Sequence, residues 1–244
     1  MTASLINPTI KVLLLDIEGT TTPIDFVYKV LFPYARAHAA GFLALHRTEV
    51  AEDITALSHA NAQDRAEGLN PPPIIGCSID EITAYLHWLM DLDRKTTPLK
   101  SLQGKIWQAG YRAGELHSQV FDDVPRAFKS WCEQGKQICI YSSGSVLAQK
   151  LLFANTEAGD LTGFIGGYFD TNIGAKGETE SYRRIAEQLN VPPSAIVFVS
   201  DVTAELEAAA SAGLETLLCL RPGNHPQPRA SEFKEIHSFD EVFK

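Results

Sequence analysis

The sequence predicts an α/β fold, a doubly wound parallel sheet with a helical domain inserted after the first strand. From residue 121 onward, short apolar runs alternate with helical patterns, as expected for parallel strands joined by right-handed helical crossovers. Between the first apolar run and residue 121 the patterns are helical only. Because a simple crossover needs only about a dozen residues, this long stretch is better interpreted as an inserted domain.

We predict a catalytic core made of residues 1–22 and 118–244, and a helical cap made of residues 23–117. An insert placed directly after the first strand would act as a lid over a site at the end of that strand, and its closure would exclude bulk water. The alternative is that these helices form the outer layer of a single domain.

The first strand is predicted from the stretch KVLLLDIEGTTTP, Lys11 to Pro23. Its four consecutive aliphatic residues, Val12 to Leu15, show no polar alternation, which is typical of a strand covered on both faces of a parallel sheet. A helix would require a longer pattern. In open α/β sheets ligands bind just beyond the carboxyl ends of the strands, and Asp16 lies at such an end.

Helical patterns fill the predicted cap. We expect Pro33 to bend or split the first helix, because proline lacks the amide proton that a helix interior requires. Ser78 and Glu81 have the spacing of a capping box, which predicts that a helix starts there. The predicted helices cover residues 25–46, 49–68 and 79–89, with a further piece from 97 to 107, and Pro71–Pro73 form a linker.

Beyond residue 121, strands and helices alternate. The predicted helices cover residues 123–135, 181–189 and 205–212, with another beginning near 145, and the predicted strands cover 137–141, 164–169, 195–199 and, as the last strand, 216–220. The stretch RPGNHPQP from Arg221 is predicted to be a loop, and residues 236–243 a small closing element.

Composition and charge exclude several classes of function. The chain has 244 residues, of which 45% are hydrophobic and 21% charged, as is typical of a globular protein. A net charge of -9 without a basic stripe argues against nucleic acid as a partner. An anionic substrate would therefore need local positive groups or a metal.

Targeting and redox signals indicate a cytoplasmic protein. No apolar run approaches the ~20 residues that span a bilayer, and the N-terminus lacks the pattern of a signal peptide. The four cysteines form no C-x-x-C pair and no zinc-like spacing with histidine, so reduced thiols are expected. We expect a monomer whose partner is a small phosphorylated molecule, with no membrane or nucleic-acid partner.

Two carboxylates follow the first strand, Asp16 and Glu18. If the chain stays extended, both project to the same side. Two neighbouring anions repel each other unless a cation lies between them, and Mg2+ is a hard cation that prefers oxygen ligands. Gly19 then lets the backbone turn away. The pattern predicts a Mg2+ site, although an Asp16 that merely ends the strand and a solvated Glu18 would leave the same sequence.

Two further strand ends carry polar residues. Ser142 and Ser143 follow the strand 137–141 at the start of a helix, where backbone amides can hold phosphate oxygens. Asp201 follows the strand 195–199 and is a third anion for Mg2+. Because the carboxyl ends of parallel strands meet at one edge of the sheet, we expect these side chains to converge on one site.

Lys176 and Glu205 are the remaining charged candidates. A lysine in a glycine-rich loop is usually solvated, yet an ammonium group can draw a carboxylate and a phosphate together and stabilise transferred charge. We therefore assign Lys176 to substrate binding. Glu205 is equally well interpreted as a metal ligand or as a charge favoured by the helix dipole, and we give it no role.

The stretch DIEGTTTPI, which contains Asp16, resembles the first motif of the haloacid dehalogenase-like superfamily, in the form found in its enolase-phosphatase branch of methionine salvage. The stretch YSSGS resembles the second motif, Lys176 matches the third by its position before a helix, and SDVTAELEAA contains Asp201. The resemblance covers nearly the whole chain. It departs from the commoner pattern at Glu18, where Asp is usual, and leaves open whether Glu18 acts through its side chain or through its backbone carbonyl.

The resemblance implies a Rossmann-like core with a cap, and a bifunctional Mg2+-dependent enzyme. Such an enzyme enolises 2,3-diketo-5-methylthiopentyl-1-phosphate and then dephosphorylates the enol to acireductone. Asp16 would attack phosphorus to form an aspartyl-phosphate, and Glu18 would activate the water that hydrolyses it. The implied site residues are Asp16 and Glu18 for catalysis, Ser142, Ser143 and Lys176 for substrate binding, and Asp16, Glu18 and Asp201 for Mg2+.

Residue chemistry without the resemblance reaches only Mg2+-dependent hydrolysis of a phosphomonoester. Two other functions therefore stay open. One is a generic sugar-phosphate phosphatase without enolase activity. The other is a phospho-acceptor or binding module in which Asp16 is phosphorylated as a signal.

Overall fold

The computed structural model describes residues 6–7 and 9–243. The expectation that no signal peptide is present rests partly on residues 1–5 and 8, which lie outside this range. Across the described residues, no helix combines the length and apolar character needed to cross a bilayer.

The chain divides into two compact units. One contains the residues before Tyr28 and after Leu116, and the other contains Tyr28–Leu116. The predicted core and cap differ from this division at residues 23–27 and at residue 117, which lie in the first unit. The action of the helical unit as a cap stays a prediction.

The first unit contains a parallel sheet, which confirms the predicted fold class. Its six strands within the described residues are β1 (Val12–Leu15), β2 (Gln137–Tyr141), β3 (Ile165–Phe169), β4 (Ile196–Ser200), β5 (Glu215–Cys219) and β6 (Glu235–Ile236). They are arranged in the order β3-β2-β1-β4-β5-β6 and every neighbouring pair is parallel. The strand order reverses direction at β1, so a crevice is expected outside the carboxyl ends of β1 and β4.

The helices flank the sheet or form the second unit. In chain order they are α1 (Ile24–Phe26), α2 (Phe32–His46), α3 (Ala51–Ala66), α4 (Ile79–Asp91), α5 (Thr97–Arg112), α6 (Asp123–Glu133), α7 (Val146–Ala154), α8 (Thr179–Leu189) and α9 (Thr203–Ser211). Helices α2 to α5 belong to the unit Tyr28–Leu116, and α6 to α9 belong to the unit with the sheet.

Strand β1 is covered on both faces, as its aliphatic run predicts. Val12 and Leu14 belong to a buried cluster that includes Tyr182 of α8 and Leu206 of α9. Leu13 and Leu15 point to the opposite face by strand alternation and are also fully buried. With no exposed face, the strand is a rigid support for whatever follows Leu15.

The helical unit Tyr28–Leu116 has a hydrophobic core of its own. Its buried side chains include Ala35 and Leu43 of α2, Leu57 of α3, Ile82, Leu86 and Leu89 of α4, and Leu102 and Ile106 of α5. The capping box is confirmed, because Ser78 Oγ accepts from the Glu81 amide at 3.2 Å and the Glu81 carboxylate accepts from the Ser78 amide at 2.9 Å.

The structure confirms one sequence prediction about the helices and corrects one about the strands. The helix predicted for residues 25–46 is split, as expected from Pro33, because a π-helical turn at Val27–Leu31 precedes α2 and Pro33 lies in the first turn of α2. In a regular helix the ring of Pro33 would clash with the carbonyl of Lys29. In this structure Lys29 lies in the wider π-helical turn instead. In addition, β5 is not the last strand, because Glu235–Ile236 extend the sheet beside it.

We predict that the buried and exposed leucines of the helical unit respond differently to truncation. Leu89→Ala, in α4, should lower the free energy of unfolding by about 2–5 kcal/mol, because Leu89 is fully buried and its removal leaves a cavity. Leu45→Ala, in α2, should change it by less than about 0.5 kcal/mol, because 82% of Leu45 is exposed. Urea unfolding measures both, and equal losses would contradict a separate core in this unit.

Candidate active site

Two acidic side chains directly follow the adjacent strands β1 and β4. Asp16 is 4% exposed and Asp201 is 7% exposed. The Asp16 amide donates to the Val199 carbonyl at 3.0 Å, which continues the pairing of β1 with β4 by one residue. The sheet therefore brings these two carboxylates, 185 residues apart in the sequence, together at the carboxyl ends of its two central strands.

A compact turn carries the chain from Asp16 to Thr22. The amides of Thr20, Thr21 and Thr22 all donate to the Ile17 carbonyl, at 2.9–3.2 Å. Gly19 has φ +73°, a left-handed conformation that favours glycine. A methyl group on Gly19 would also lie 2.5 Å from Asp201 Oδ2, so only glycine leaves room for that carboxylate.

Lys176 lies between two carboxylates. Its Nζ is 2.5 Å from Asp16 Oδ1 and 2.6 Å from Glu205 Oε2, and the residue is 9% exposed. Aromatic rings of Tyr141 and Phe198 lie under the ammonium at 5.9 and 5.8 Å. Two ion pairs and two aromatic rings thus fix the position of the Lys176 ammonium.

The backbone of Lys176 is held as firmly as its side chain. The Tyr182 hydroxyl donates to the Lys176 carbonyl at 2.7 Å, and the Tyr141 hydroxyl donates to the Gly174 carbonyl at 2.9 Å. Both tyrosines are fully buried. The glycine-rich loop therefore has an anchored conformation around the lysine, unlike a solvated loop.

Glu205 is a site residue that the sequence analysis did not assign. Besides its ion pair with Lys176, its Oε2 accepts a hydrogen bond from Ser200 Oγ at 2.9 Å. Its signal in the sequence is the spacing of four residues from Asp201, which places it one helical turn beyond the strand end. That spacing alone could not distinguish this position from a solvated one.

The two aspartates that follow β1 and β4 have raised pKa values. Burial raises the pKa of Asp16 to about 8, against the lowering effect of Lys176, and Glu205 and Asp201 raise it further. Burial also raises the pKa of Asp201 to about 6, opposed by Lys176 and reinforced by Glu205 and Glu18. Burial alone would lower the pKa of Lys176, but Asp16 and Glu205 raise it above its usual value, so the ammonium stays charged.

The donor set at this edge fits Mg2+. One ammonium faces several carboxylates, and the excess negative charge favours a further cation. Among the described residues, no three side chains of the His, Cys, Asp and Glu types are arranged to hold one ion. Mg2+ commonly takes only one or two protein carboxylates and fills its other positions with water and phosphate oxygens. Asp16 and Asp201 can supply such a pair.

Ser142 and Ser143 lie after β2, beside β1 in the sheet. Ser142 is buried, and its Oγ accepts from the Gly144 amide at 3.2 Å, a contact within its own loop. Ser143 is half-buried. Ser145 caps α7 by accepting from the Ala148 amide at 3.3 Å. The structure thus brings Asp16, Lys176 and Asp201 together directly, while the two serines lie on the neighbouring strand end without a hydrogen bond to them in the described residues.

Glu18 is half-buried in the turn after Asp16. Its charge is close enough to raise the pKa of Asp201. Through the backbone, Glu18 bridges to Thr22 in the same turn. Its carboxylate and its carbonyl are therefore both presented by the segment that carries Asp16.

Comparison with known proteins identifies the family. The model of the haloacid dehalogenase-like hydrolases matches residues 10–213. The chain is 53% identical to "Enolase-phosphatase E1" of Synechococcus elongatus, over 96% of this chain and 98% of that protein. It is 46% identical to "Enolase-phosphatase E1" of Drosophila mojavensis, over 88% of this chain and 87% of that protein.

One solved structure is also similar over nearly the whole chain. The crystal structure of the UTR4 protein from Saccharomyces cerevisiae superposes with a TM-score of 0.75 at 34% identity, over 95% of this chain and 99% of that one. The resemblance inferred from the motifs is thereby confirmed. The chain belongs to the haloacid dehalogenase-like hydrolase family and, within it, to the enolase-phosphatases.

Proposed function

We propose that this protein is a bifunctional Mg2+-dependent enolase-phosphatase of methionine salvage. It converts 2,3-diketo-5-methylthiopentyl-1-phosphate to the enol and then to acireductone and phosphate. The proposal is supported by the full-length relatives named enolase-phosphatase and by the ion-paired carboxylate and lysine at the reversal point of the sheet. The observation that carries the phosphatase half is the position of Lys176 Nζ, 2.5 Å from Asp16 Oδ1.

In the phosphatase half, the Asp16 carboxylate is the nucleophile. One of its oxygens forms a bond to phosphorus while the bond from phosphorus to the ester oxygen breaks, which leaves an aspartyl-phosphate and the enol product. Glu18 protonates the departing oxygen, and then removes a proton from the water that hydrolyses the aspartyl-phosphate. Phosphate leaves and the Asp16 carboxylate is regenerated.

Lys176 allows two anions to approach each other. Its ammonium is already paired with Asp16, so a phosphate that enters the site meets a neutralised carboxylate instead of a bare one. Glu205 and the rings of Tyr141 and Phe198 hold the ammonium in place. Little reorganisation of the site is therefore required when charge develops on the transferred phosphoryl group. We assign Ser142 and Ser143, with the amides at the start of α7, to the phosphate oxygens.

Mg2+ would be held by Asp16 and Asp201, and would supply charge neutralisation for the phosphoryl group and polarisation of the substrate carbonyl. The absence of a three-acid cluster among the described residues supports a contribution from Glu18 through its backbone carbonyl. That arrangement leaves the Glu18 carboxylate available for proton transfer.

We also propose that residues 23–117 act as the cap during turnover, and that the enzyme works as a cytoplasmic monomer on a small phosphorylated molecule. The basis for the cap is its insertion directly after the segment that carries Asp16 and Glu18. The basis for a small-molecule substrate is the catalytic chemistry, which needs only a phosphate ester within reach of Asp16.

The first functional test uses the purified chain with Mg2+ and the diketone phosphate. Enol absorbance and released phosphate are followed together, with 2-phosphoglycolate and a sugar phosphate as comparison substrates. We expect enol to appear before phosphate, because proton removal precedes dephosphorylation. Release of phosphate without enol would indicate a generic phosphatase. If no enol and no phosphate formed, a phospho-acceptor module would be favoured. Both outcomes contradict the proposed function.

The second test separates the catalytic role of Lys176 from its contribution to stability. Lys176→Met should lower kcat by about a hundredfold or more, since a charge-stabilising group is lost from the site. It should also lower the free energy of unfolding by about 3–5 kcal/mol, because Asp16 and Glu205 stay buried without their counter-charge. Chemical unfolding and phosphate release measure the two effects.

The double variant Lys176→Met with Glu205→Gln should regain stability, because one unpaired carboxylate is removed with the ammonium, while kcat stays low. Lys129→Met, on the exposed side of α6, serves as the control and should leave both quantities unchanged. If the double variant recovered activity together with stability, Lys176 would have only a structural role.

A further inference from the structure

The turn that follows β5 contacts the turn that follows β1. Residues 221–224 read RPGN, and the Asn224 amide donates to the Arg221 carbonyl at 3.1 Å, which closes a tight turn. Pro222 and Gly223, with φ +92° at the glycine, are the residues that a type II turn requires at its two central positions. The turn therefore holds the side chains of Arg221 and Asn224 close together in fixed directions.

Asn224 binds the first of two consecutive carbonyls. Its Nδ2 donates to the Gly19 carbonyl at 2.9 Å and to the Cys219 carbonyl at 3.1 Å. These two acceptors also determine the orientation of the carboxamide, because the reverse orientation would place Oδ1 against both carbonyls. The segment with Asp16 and Glu18 is thereby attached to the end of β5.

Arg221 binds the second carbonyl. Its Nε donates to the Thr20 carbonyl at 3.1 Å, and its Nη1 lies 2.8 Å from Asp123 Oδ2. The guanidinium lies between the rings of Phe121 and Phe239, at 4.5 and 4.8 Å, and is 7% exposed. A planar cation packed and paired in this way has almost no freedom to move.

The other end of the Asn224 carboxamide and the carboxylate of Asp201 both lie beside Gly19. Its Oδ1 is buried and has no hydrogen-bond partner among the described residues. A methyl group on Gly19 would lie 2.9 Å from this oxygen and 2.5 Å from Asp201 Oδ2, so both oxygens face the bare side of Gly19. A buried acceptor without a donor is costly, and a water molecule beside Asp201 would satisfy it.

We propose that Arg221 and Asn224 are positioning residues of the active site, which fix the carbonyls of Thr20 and Gly19 and so orient Asp16 and Glu18. In addition, the buried Oδ1 of Asn224 would accept a hydrogen bond from a water molecule beside Asp201, where Mg2+ would be held. Both residues act through the turn and the water and do not contact the reacting atoms. The inference rests on the proposed Mg2+-dependent function and adds a further element, the turn after β5, to the site.

The test uses Asn224, because loss of Arg221 would leave the buried carboxylate of Asp123 unpaired and destabilise the fold. Asn224→Ala removes both donors and the acceptor, and Asn224→Leu does so while preserving side-chain volume. Groups that orient metal ligands typically contribute about ten- to a hundredfold in affinity or activity. We therefore expect each variant to weaken Mg2+ binding in calorimetry, and to lower kcat, by about that factor.

The KM for the substrate should change by less than about threefold, since the substrate itself is not contacted. Gln227→Ala is the matched control, because Gln227 is a carboxamide of the same loop whose side chain, within the part of the chain that the structure describes, bonds only to the His225 carbonyl. It should bind Mg2+ and turn over as the unmodified protein does. Thermal unfolding confirms that each variant tested is folded.

The inference is overturned if a folded Asn224 variant binds Mg2+ and turns over like the control. It is also overturned if kcat falls only in proportion to the folded fraction, or if KM rises as much as kcat falls. The Mg2+ titration decides the matter without any substrate. If the protein released no phosphate from the diketone phosphate, the proposed function would be wrong. The effect of the Asn224 variants on Mg2+ binding could still be measured.

Discussion

The buried ammonium of Lys176, held between the carboxylates of Asp16 and Glu205, is the interaction on which the site depends. Each of these charges would be costly to bury alone, and together they compensate one another. The compensation is incomplete, because Asp201 and Glu18 add negative charge to the same edge and the pKa of Asp16 and of Asp201 is raised. The protein thus maintains a site that a divalent cation and a phosphate group would complete.

The sheet is what makes this arrangement possible. Asp16 and Asp201 end adjacent strands whose residues are buried on both faces, so neither carboxylate can withdraw without disturbing the core. Lys176 comes from the loop before α8, and Tyr182 of that helix holds its carbonyl. The fold therefore fixes the charges by backbone register and aromatic packing, and the short side chains need little freedom of their own.

The sequence predicts the central strands and most of the helices because their signals are local. The aliphatic run Val12–Leu15 and the capping box at Ser78 can each be recognised from neighbouring residues alone. The two-residue strand β6 carries no comparable pattern, and it forms because β5 offers an unpaired edge. The π-helical turn Val27–Leu31 likewise depends on how the chain before α2 accommodates the ring of Pro33.

The same distinction applies to the site. Asp16 and Asp201 are predictable because each follows an apolar run, and strand ends converge in any parallel sheet. The ion pair of Glu205 and the contacts of Arg221 and Asn224 with residues 19 and 20 join positions far apart in the chain. Their local context is that of an ordinary helix start and an ordinary loop, so no short-range pattern reveals them.

The measurement that tests the account most directly is a chemical trap of the covalent intermediate. The protein is quenched during turnover and treated with borohydride, which reduces an acyl phosphate to an alcohol, and the modified residue is located by peptide mass spectrometry. The account predicts homoserine at position 16, and none there in an Asp16→Asn variant treated in the same way. Reduction at another carboxylate, or turnover that continues in Asp16→Asn, would contradict nucleophilic attack by Asp16.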